Sequence, residues 1–512
     1  MPDNPSSNKT IAKNTLLMYA RMLLLLVLSL YTSRIVLATL GVKDYGLYNV
    51  VGGIVTMFAF INTAMGNSTS RFIIFALGKG DENELKNVVG VSFVIHWVLA
   101  GIILVLAETI GLWFLYNKMV IPEGRMMAAM WVYQFSVISC MVSVISVPFN
   151  AMIIAHEKMG AFAFISIVDA LLKLLIVYVI QVSAYDKLVV YAALLLLVSI
   201  MDRIIYQIYC FRHFKEAKNI KFKRSDTIGQ MTSYAGWSIV GNMAYVGYTQ
   251  GLNILLNMFF GPAVNAARGV AFQVQGAIKG FVTNFQTAVT PQIIKSYSQG
   301  DYKRLHTLVY YSSKFSFFLL YCMVLPISIE AKTLLGLWLK EVPNYAVVFT
   351  ILILWIMLIE PLSNPIDKAN QATGKIRNYQ IVEGGVLLLI LPIAYYVLKL
   401  GAEPYAVFVV QFAIMVIVQI LRLFLVCHKI KMSKREYVKR VLLRCVLVML
   451  TSSVIPIVLY VMLPQSIISF IIVVLVSLFS VLSCSYCIGL TVEERTIVRE
   501  KVQQYIAKIY KK

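Results

Sequence analysis

Fourteen runs of about 17 to 25 mostly apolar residues follow one another along this chain, and each has the length that an α-helix needs to cross a bilayer. The expected spans are 12–39, 47–66, 89–116, 126–155, 160–183, 187–210, 232–256, 264–292, 308–330, 344–367, 378–399, 403–427, 440–463 and 466–490. Only closed barrels and helices satisfy the backbone inside lipid, and runs this long and continuous select helices. Composition agrees: 59% of the 512 residues are hydrophobic and 14% charged, with a mean hydropathy of +0.78, outside the range of a soluble domain. The polar start, residues 1–14, lacks the features of a cleaved secretory signal, so the first span is expected to be retained.

A net charge of +22 suggests nucleic acid until its placement is considered. With the amino terminus in the cytoplasm, most Lys and Arg fall in cytoplasmic segments, which is the positive-inside bias of a multi-pass protein. Clusters at Lys215 to Arg224 and Lys429 to Arg440 border membrane helices, where anionic headgroups attract them. No nucleic-acid partner is expected, membrane lipids are, and both termini are cytoplasmic in this topology.

Several chemistries are missing. The sequence has no GxxxxGK[ST] phosphate cradle, no HExxH, and no His, Cys and carboxylate cluster at metal-ligand spacing. Its seven cysteines lie in or at the ends of spans, and five scattered histidines form no group. Neither an enzyme nor a metal or cofactor site is expected.

Polar residues inside the apolar runs carry the functional signal. Between Ala263 and Gln292, the residues Arg268, Gln275, Lys279 and Gln286 fall within about 20° of one line along a helix. Cations at bilayer depth are costly, so such a line faces a water-filled lumen or paired partners. The alternative is that Arg268 snorkels to the interface and Lys279 pairs with a carboxylate on a neighbouring helix. The preceding span carries a similar stripe, Ser238, Asn242, Tyr245, Thr249 and Asn253, which lines the same lumen or glues helices together. In the first span Arg21 is the mid-depth cation.

Candidates for ion coupling or gating come from three further places. Asp169 and Lys173 stand at i and i+4, where they neutralise each other or carry a proton. Span ten contains Glu360, Pro361, Asn364, Pro365 and Asp367, a broken-helix signature of a cavity wall or hinge. Pro291 marks a gate kink or simply the end of span eight. The tail begins with Thr491 and Glu494, a capping box, and continues with apolar positions Val498, Val502, Tyr505 and Ile509, an expected amphipathic helix.

At a constant offset of 220 residues, Gly41 falls on Gly261, Ile73 and Ile74 on Ile293 and Ile294, Gly80 and Asp81 on Gly300 and Asp301, and Leu85 on Leu305. Six helices separate these copies, so two related halves should share one orientation, with the substrate lumen between them.

The stretch Ser33-Arg34-Ile35-Val36-Leu37-Ala38-Thr39-Leu40-Gly41-Val42-Lys43-Asp44-Tyr45-Gly46-Leu47-Tyr48 resembles the first external turn of bacterial O-antigen-type polysaccharide flippases. Thr290-Pro291-Gln292-Ile293-Ile294-Lys295 with Gly300-Asp301 resembles their eighth helix and following loop, and Ala369-Asn370-Gln371-Ala372-Thr373-Gly374-Lys375-Ile376-Arg377 the loop after helix ten. These flippases belong to the multidrug, oligosaccharidyl-lipid and polysaccharide (MOP) exporter superfamily. The resemblance implies an all-α membrane protein with two six-helix bundles in a V, 1–215 and 216–430, then helices thirteen and fourteen at 431–490 and a cytoplasmic tail at 491–512. It implies alternating access that carries an isoprenoid pyrophosphate-linked oligosaccharide across a bacterial inner membrane, near the polysaccharide polymerase machinery. Relatives that flip the peptidoglycan precursor use lumen arginines in helices one and eight, the helices that hold Arg21, Arg268 and Lys279 here. Without a nucleotide site, the expected drive is an H+ or Na+ gradient, the membrane potential or product consumption. The potential supplies about 2.3 kcal/mol per charge per 100 mV.

Two readings compete. An ion-coupled multidrug exporter of the same superfamily predicts an acidic lumen, against the cations here. A glycan polymerase, ligase or glycosyltransferase needs catalytic residues and a sizeable external loop, whereas the longest external loops are about ten residues.

Overall fold

Apolar runs become long helices in the computed structural model, which describes residues 5–56, 59–117, 121, 124–218, 226–339, 342–492, 494–496 and 499. The helices are α1 (Pro5–Thr56), α2 (Ala59–Lys79), α3 (Glu82–Asn117), α4 (Met126–Ala155), α5 (Met159–Gln181), α6 (Lys187–His213) and α7 (Asp226–Phe260). They continue with α8 (Pro262–Ser298), α9 (Tyr302–Ile329), α10 (Ala346–Thr373), α11 (Arg377–Lys399), α12 (Ala406–Lys429), α13 (Lys434–Met462) and α14 (Ile467–Gly489). No strand occurs among the described residues.

Ten of these helices, α3 to α6 and α9 to α14, are long and apolar enough to cross a membrane. They coincide with ten expected spans. The other expected spans fall on α1, α2, α7 and α8, and their limits differ from the reading above. Segments predicted as 12–39 and 47–66 join at a single break, Gly41, whose φ of 75° is open to glycine without a Cβ penalty. The second of them is divided between the end of α1 and α2. Pro291 does not end span eight: α8 runs through it to Ser298. A proline loses one intrahelical hydrogen bond and leaves the neighbouring turns free to continue.

The turns repeat at the offset seen in the sequence. Gly261, with φ 78°, separates α7 from α8 as Gly41 breaks α1. Gly80 and Gly300 have φ of 76° and 73°. Each is followed by an aspartate that caps the next helix: Asp81 Oδ1 accepts from the amides of Asn83 (2.9 Å) and Glu84 (3.0 Å), and Asp301 Oδ1 accepts from that of Arg304 (2.9 Å).

The chain divides into two compact units, one of Met1–Asn242 with Ile294–Gly300, the other of Met243–Ile293 with Asp301–Lys512. In the first unit α4 is central, packed on α6, α2 and α3, while α1 packs on α5. In the second, α9 packs on the latter half of α10 and on α14, and α12 packs on α10 and α11. Helices α13 and α14 thus dock directly on α9. At the carboxyl end the Thr491 amide donates to Glu494 Oε2 (2.7 Å) and the Glu494 amide to Thr491 Oγ1 (3.3 Å), which is the capping box. Val498, Val502, Tyr505 and Ile509 lie outside the described residues, as do 219–225 of the first basic cluster.

One clasp ties the starts of α4 and α6 to the kink of α1 in the first unit. Arg125, just before α4, donates from Nε to Asp44 Oδ1 (3.0 Å) and from Nη2 to Asp44 Oδ2 (2.5 Å). Its Nη1 donates to Asp186 Oδ2 (2.5 Å), and Asp186 caps α6 through the amides of Leu188 and Val189. Asp44 therefore has a structural task inside the resembling stretch, with the planar guanidinium matched to two carboxylates. Partial burial raises the Asp186 carboxyl, but hydrogen bonds from Arg125 and the two amides outweigh it and hold the group below the usual carboxylate range. A depressed folded pKa gives stability that is present above the unfolded value, about 3.9, and lost as pH falls through the folded one. We expect the melting temperature of the wild type to fall more steeply below about pH 4 than that of Asp186→Asn. Parallel slopes in a thermal scan would remove the clasp from the account.

Candidate functional site

The polar line on α8 and the broken helix α10 meet in the second unit. α10 consists of Ala346–Met357 and Glu360–Thr373, joined by a tightened turn. Pro361 has no N–H for the carbonyl four residues earlier, and i+3 bonds replace the ladder: Leu358 N to Trp355 O, 3.2 Å, and Ile359 N to Ile356 O, 3.1 Å. The half-helix begins at Glu360, so that its first turn presents a carboxylate.

That carboxylate receives Lys279 of α8, with Nζ 2.8 Å from Oε2 and 2.9 Å from Oε1. One turn on in α10 and two turns on in α8, Asn364 Nδ2 donates to Gln286 Oε1 (2.9 Å), and Gln286 Nε2 donates to Ser316 Oγ of α9 (3.2 Å). The line is a ladder of polar contacts from α8 to α10 and α9, with Gln286 buried and Gln275 half-buried. Lys279 keeps 42% of its side chain exposed and Glu360 21%. This is the paired alternative for Lys279, on an open face.

Arg268 differs. It is 8% exposed, donates from Nη2 to the backbone carbonyl of Thr249 on α7 (2.8 Å) and stacks on Phe272 at 4.3 Å. Its Nε is buried without a hydrogen-bond partner. No carboxylate pairs with it among the described residues, so its full positive charge remains. Its side chain is held inside the protein. Thr249 returns its hydroxyl to Tyr245 O (2.7 Å), and Asn242 and Asn253 are half-buried on the same helix.

Other side chains brace the broken helix. Leu362 O accepts from Gln419 Nε2 (3.2 Å) and Tyr437 Oη (2.9 Å), and Ser363 Oγ donates to Gln419 Oε1 (2.7 Å). These contacts tie α12 and α13 to the half-helix. Pro365 is buried inside the half-helix. Asp367 takes Gln371 Nε2 on Oδ2 (2.7 Å), while its Oδ1 is buried and unpartnered. Arg422 of α12 bonds through Nε and Nη2 to Glu383 of α11.

In the first unit, Arg21 lies over the Phe162 ring at 4.6 Å, and its Nε also lacks a partner. Lys173 neutralises Asp169 at 2.8 Å. Asp202 of α6 comes within hydrogen-bonding reach of Asp169 and leaves its own Oδ1 buried and unpartnered. Sequence reasoning missed Asp202, Arg422, Glu383 and Gln419. The signal for Arg422 and Glu383 was present, since each is a lone charge in an apolar run.

No protein-family model and no curated protein matches the sequence. Solved structures do match it in shape. One described as MATE in the bent conformation aligns with TM-score 0.72 at 14% identity, over 83% of this chain and 96% of that one. An outward-facing multidrug resistance MATE family transporter of the MOP superfamily aligns with TM-score 0.69 at 14% identity, over the same shares. A MOP superfamily transporter from Pyrococcus furiosus, described as having a binding pocket of reversed polarity that suggests a different function, aligns with TM-score 0.68 at 16% identity, again over 83% and 96%. The chain has the fold of these transporters.

Proposed function

We propose that this chain is an ion-coupled secondary transporter that works by alternating access and moves an amphipathic molecule with an anionic head. The observation that carries the proposal is Arg268, a buried cation with no carboxylate partner among the described residues, on a helix where Lys279 and Gln286 are paired. An anionic group brought to it completes the missing charge balance, which a buried cation requires. Lys279, cancelled by Glu360, contributes less to that attraction than its sequence position suggested.

The neighbours of the same fold include multidrug exporters, which supports export of drug-like amphipaths. The finer reading is the flipping of an isoprenoid pyrophosphate-linked oligosaccharide for surface polysaccharide synthesis. It is supported by the flippase resemblance, by Arg268 and by Arg21, also without a bonded carboxylate on its Nε. Under that reading the chain works in a bacterial inner membrane beside the polymerase machinery, with both termini cytoplasmic, an orientation that the basic loops favour. Coupling falls to the Asp169, Lys173 and Asp202 group: a proton held between the two carboxylates removes their repulsion, and its release restores it.

Proteoliposomes test the proposal. Under an imposed H+ or Na+ gradient, movement of a fluorescent anionic lipid should exceed that of a lipophilic cation, and Asp202→Asn should abolish the gradient dependence. Preference for the cation would select the multidrug reading. In cells, deletion should leave complete lipid-linked units on the cytoplasmic face, and accumulation outside would point to a polymerase or ligase instead.

A further inference from the structure

A recess lies far along the chain from the α8 line, where α9 ends and the α13–α14 hairpin turns. It is a cavity of about 370 Å³ whose wall includes Glu330, Lys332, Thr333, Tyr460, Ile467 and Val473. Spans α9, α13 and α14 end or begin at Ile329, Met462 and Ile467. The recess therefore sits at headgroup depth, on the membrane face opposite the basic cluster at Lys429 to Arg440.

Its chemistry is that of a zwitterion. Glu330 is 5% exposed, and among the described residues its carboxylate has Thr333 Oγ1 on Oε2 (2.7 Å) but no cation. A buried carboxylate served by one hydroxyl at the wall of an open recess lacks a countercharge. Two residues on, Lys332 is exposed on the same wall. A buried acid and an exposed cation two residues apart on one lining match an ammonium and a phosphate joined by a short linker.

The surroundings select a lipid over a soluble zwitterion. Below the recess the flanks of α13 and α14 are apolar and uncovered: Ile457 is 47% exposed, Val461 77%, Ile468 71% and Ile471 49%. Acyl chains fit such flanks, and Tyr460 stands at the interface as aromatic residues do. We infer that this recess binds the headgroup of an amino-phospholipid of the phosphatidylethanolamine kind, with its ammonium on Glu330 and its phosphate on Lys332. The site is separate from the transport line and rests on no assumption about the cargo.

Native mass spectrometry of the purified full chain, exchanged into equal phosphatidylethanolamine and phosphatidylglycerol, reads this directly. The wild type should retain about fivefold more of the amino lipid. Glu330→Gln and, independently, the surface variant Lys332→Glu should bring that ratio to about one while the protein stays monodisperse. A purely structural role for Glu330 would lower stability without moving the ratio. Equal retention by the wild type, or an unchanged ratio in both variants, overturns the assignment. Displacement of the lipid by soluble glycerophosphoethanolamine would overturn the lipid as the source.

Discussion

Replacing Lys314 by methionine should lower the melting temperature of the purified protein by roughly 4 °C and expose the carboxyl-terminal tail to protease. Lys314 stands in the middle of α9, 1% exposed, with Nζ 2.7 and 2.5 Å from the two oxygens of Glu494, which is 4% exposed. Removing one member of such a pair leaves the other buried and uncompensated, a loss of about 3–5 kcal/mol. Here the stranded carboxylate also closes the capping box with Thr491, so that the first turn of the tail loses its seat as well. The double variant Lys314→Met/Glu494→Gln keeps a capping side chain and buries no charge. It should recover most of the loss, since a neutral, well-packed pair replaces an ionic one at little cost. A single variant that melts with the wild type would show that water reaches Glu494 and that the tail is not latched to α9.

The latch illustrates what a sequence can and cannot disclose about this protein. Thr491 and Glu494 were legible as a capping box because capping is local. That Glu494 also meets Lys314 was not, because 180 residues intervene. Ten spans were legible from length and apolarity alone, since a helix in lipid must satisfy its own backbone whatever it packs against. The limits of α1, α2, α7 and α8 were harder because their polar stripes shorten the apolar runs, and because single glycines with positive φ, Gly41 and Gly261, interrupt them without a visible loop. Periodicity placed Arg268, Lys279 and Gln286 on one line, but not which of its two cations has a carboxylate partner. Glu360, singled out for its place beside Pro361, turned out to be the partner of Lys279, 81 residues away.

That difference between two cations of one line yields the sharpest functional expectation. Lys279→Met strands Glu360 on a face where the pair is still partly open, so the screened loss should reduce transport about tenfold rather than abolish it. Lys279→Met/Glu360→Gln should return to within about threefold of the wild type, because no unpaired charge remains. Arg268→Met has no carboxylate to strand. Its guanidinium is held by the Thr249 carbonyl and the Phe272 ring, and Nε is buried without a partner. Loss of that cation should cost about a hundredfold or more, with no second substitution to rescue it, as expected when an interaction made with the moving headgroup disappears. Arg268→Lys keeps the charge but loses the fork, and should recover only part. Gradient-driven uptake into proteoliposomes at matched protein levels measures all four. If the Lys279 and Glu360 double variant is as inactive as Lys279→Met alone, Lys279 binds cargo itself and the cationic line extends down α8. If Arg268→Met transports like the wild type, the anionic head is not recognised on this helix.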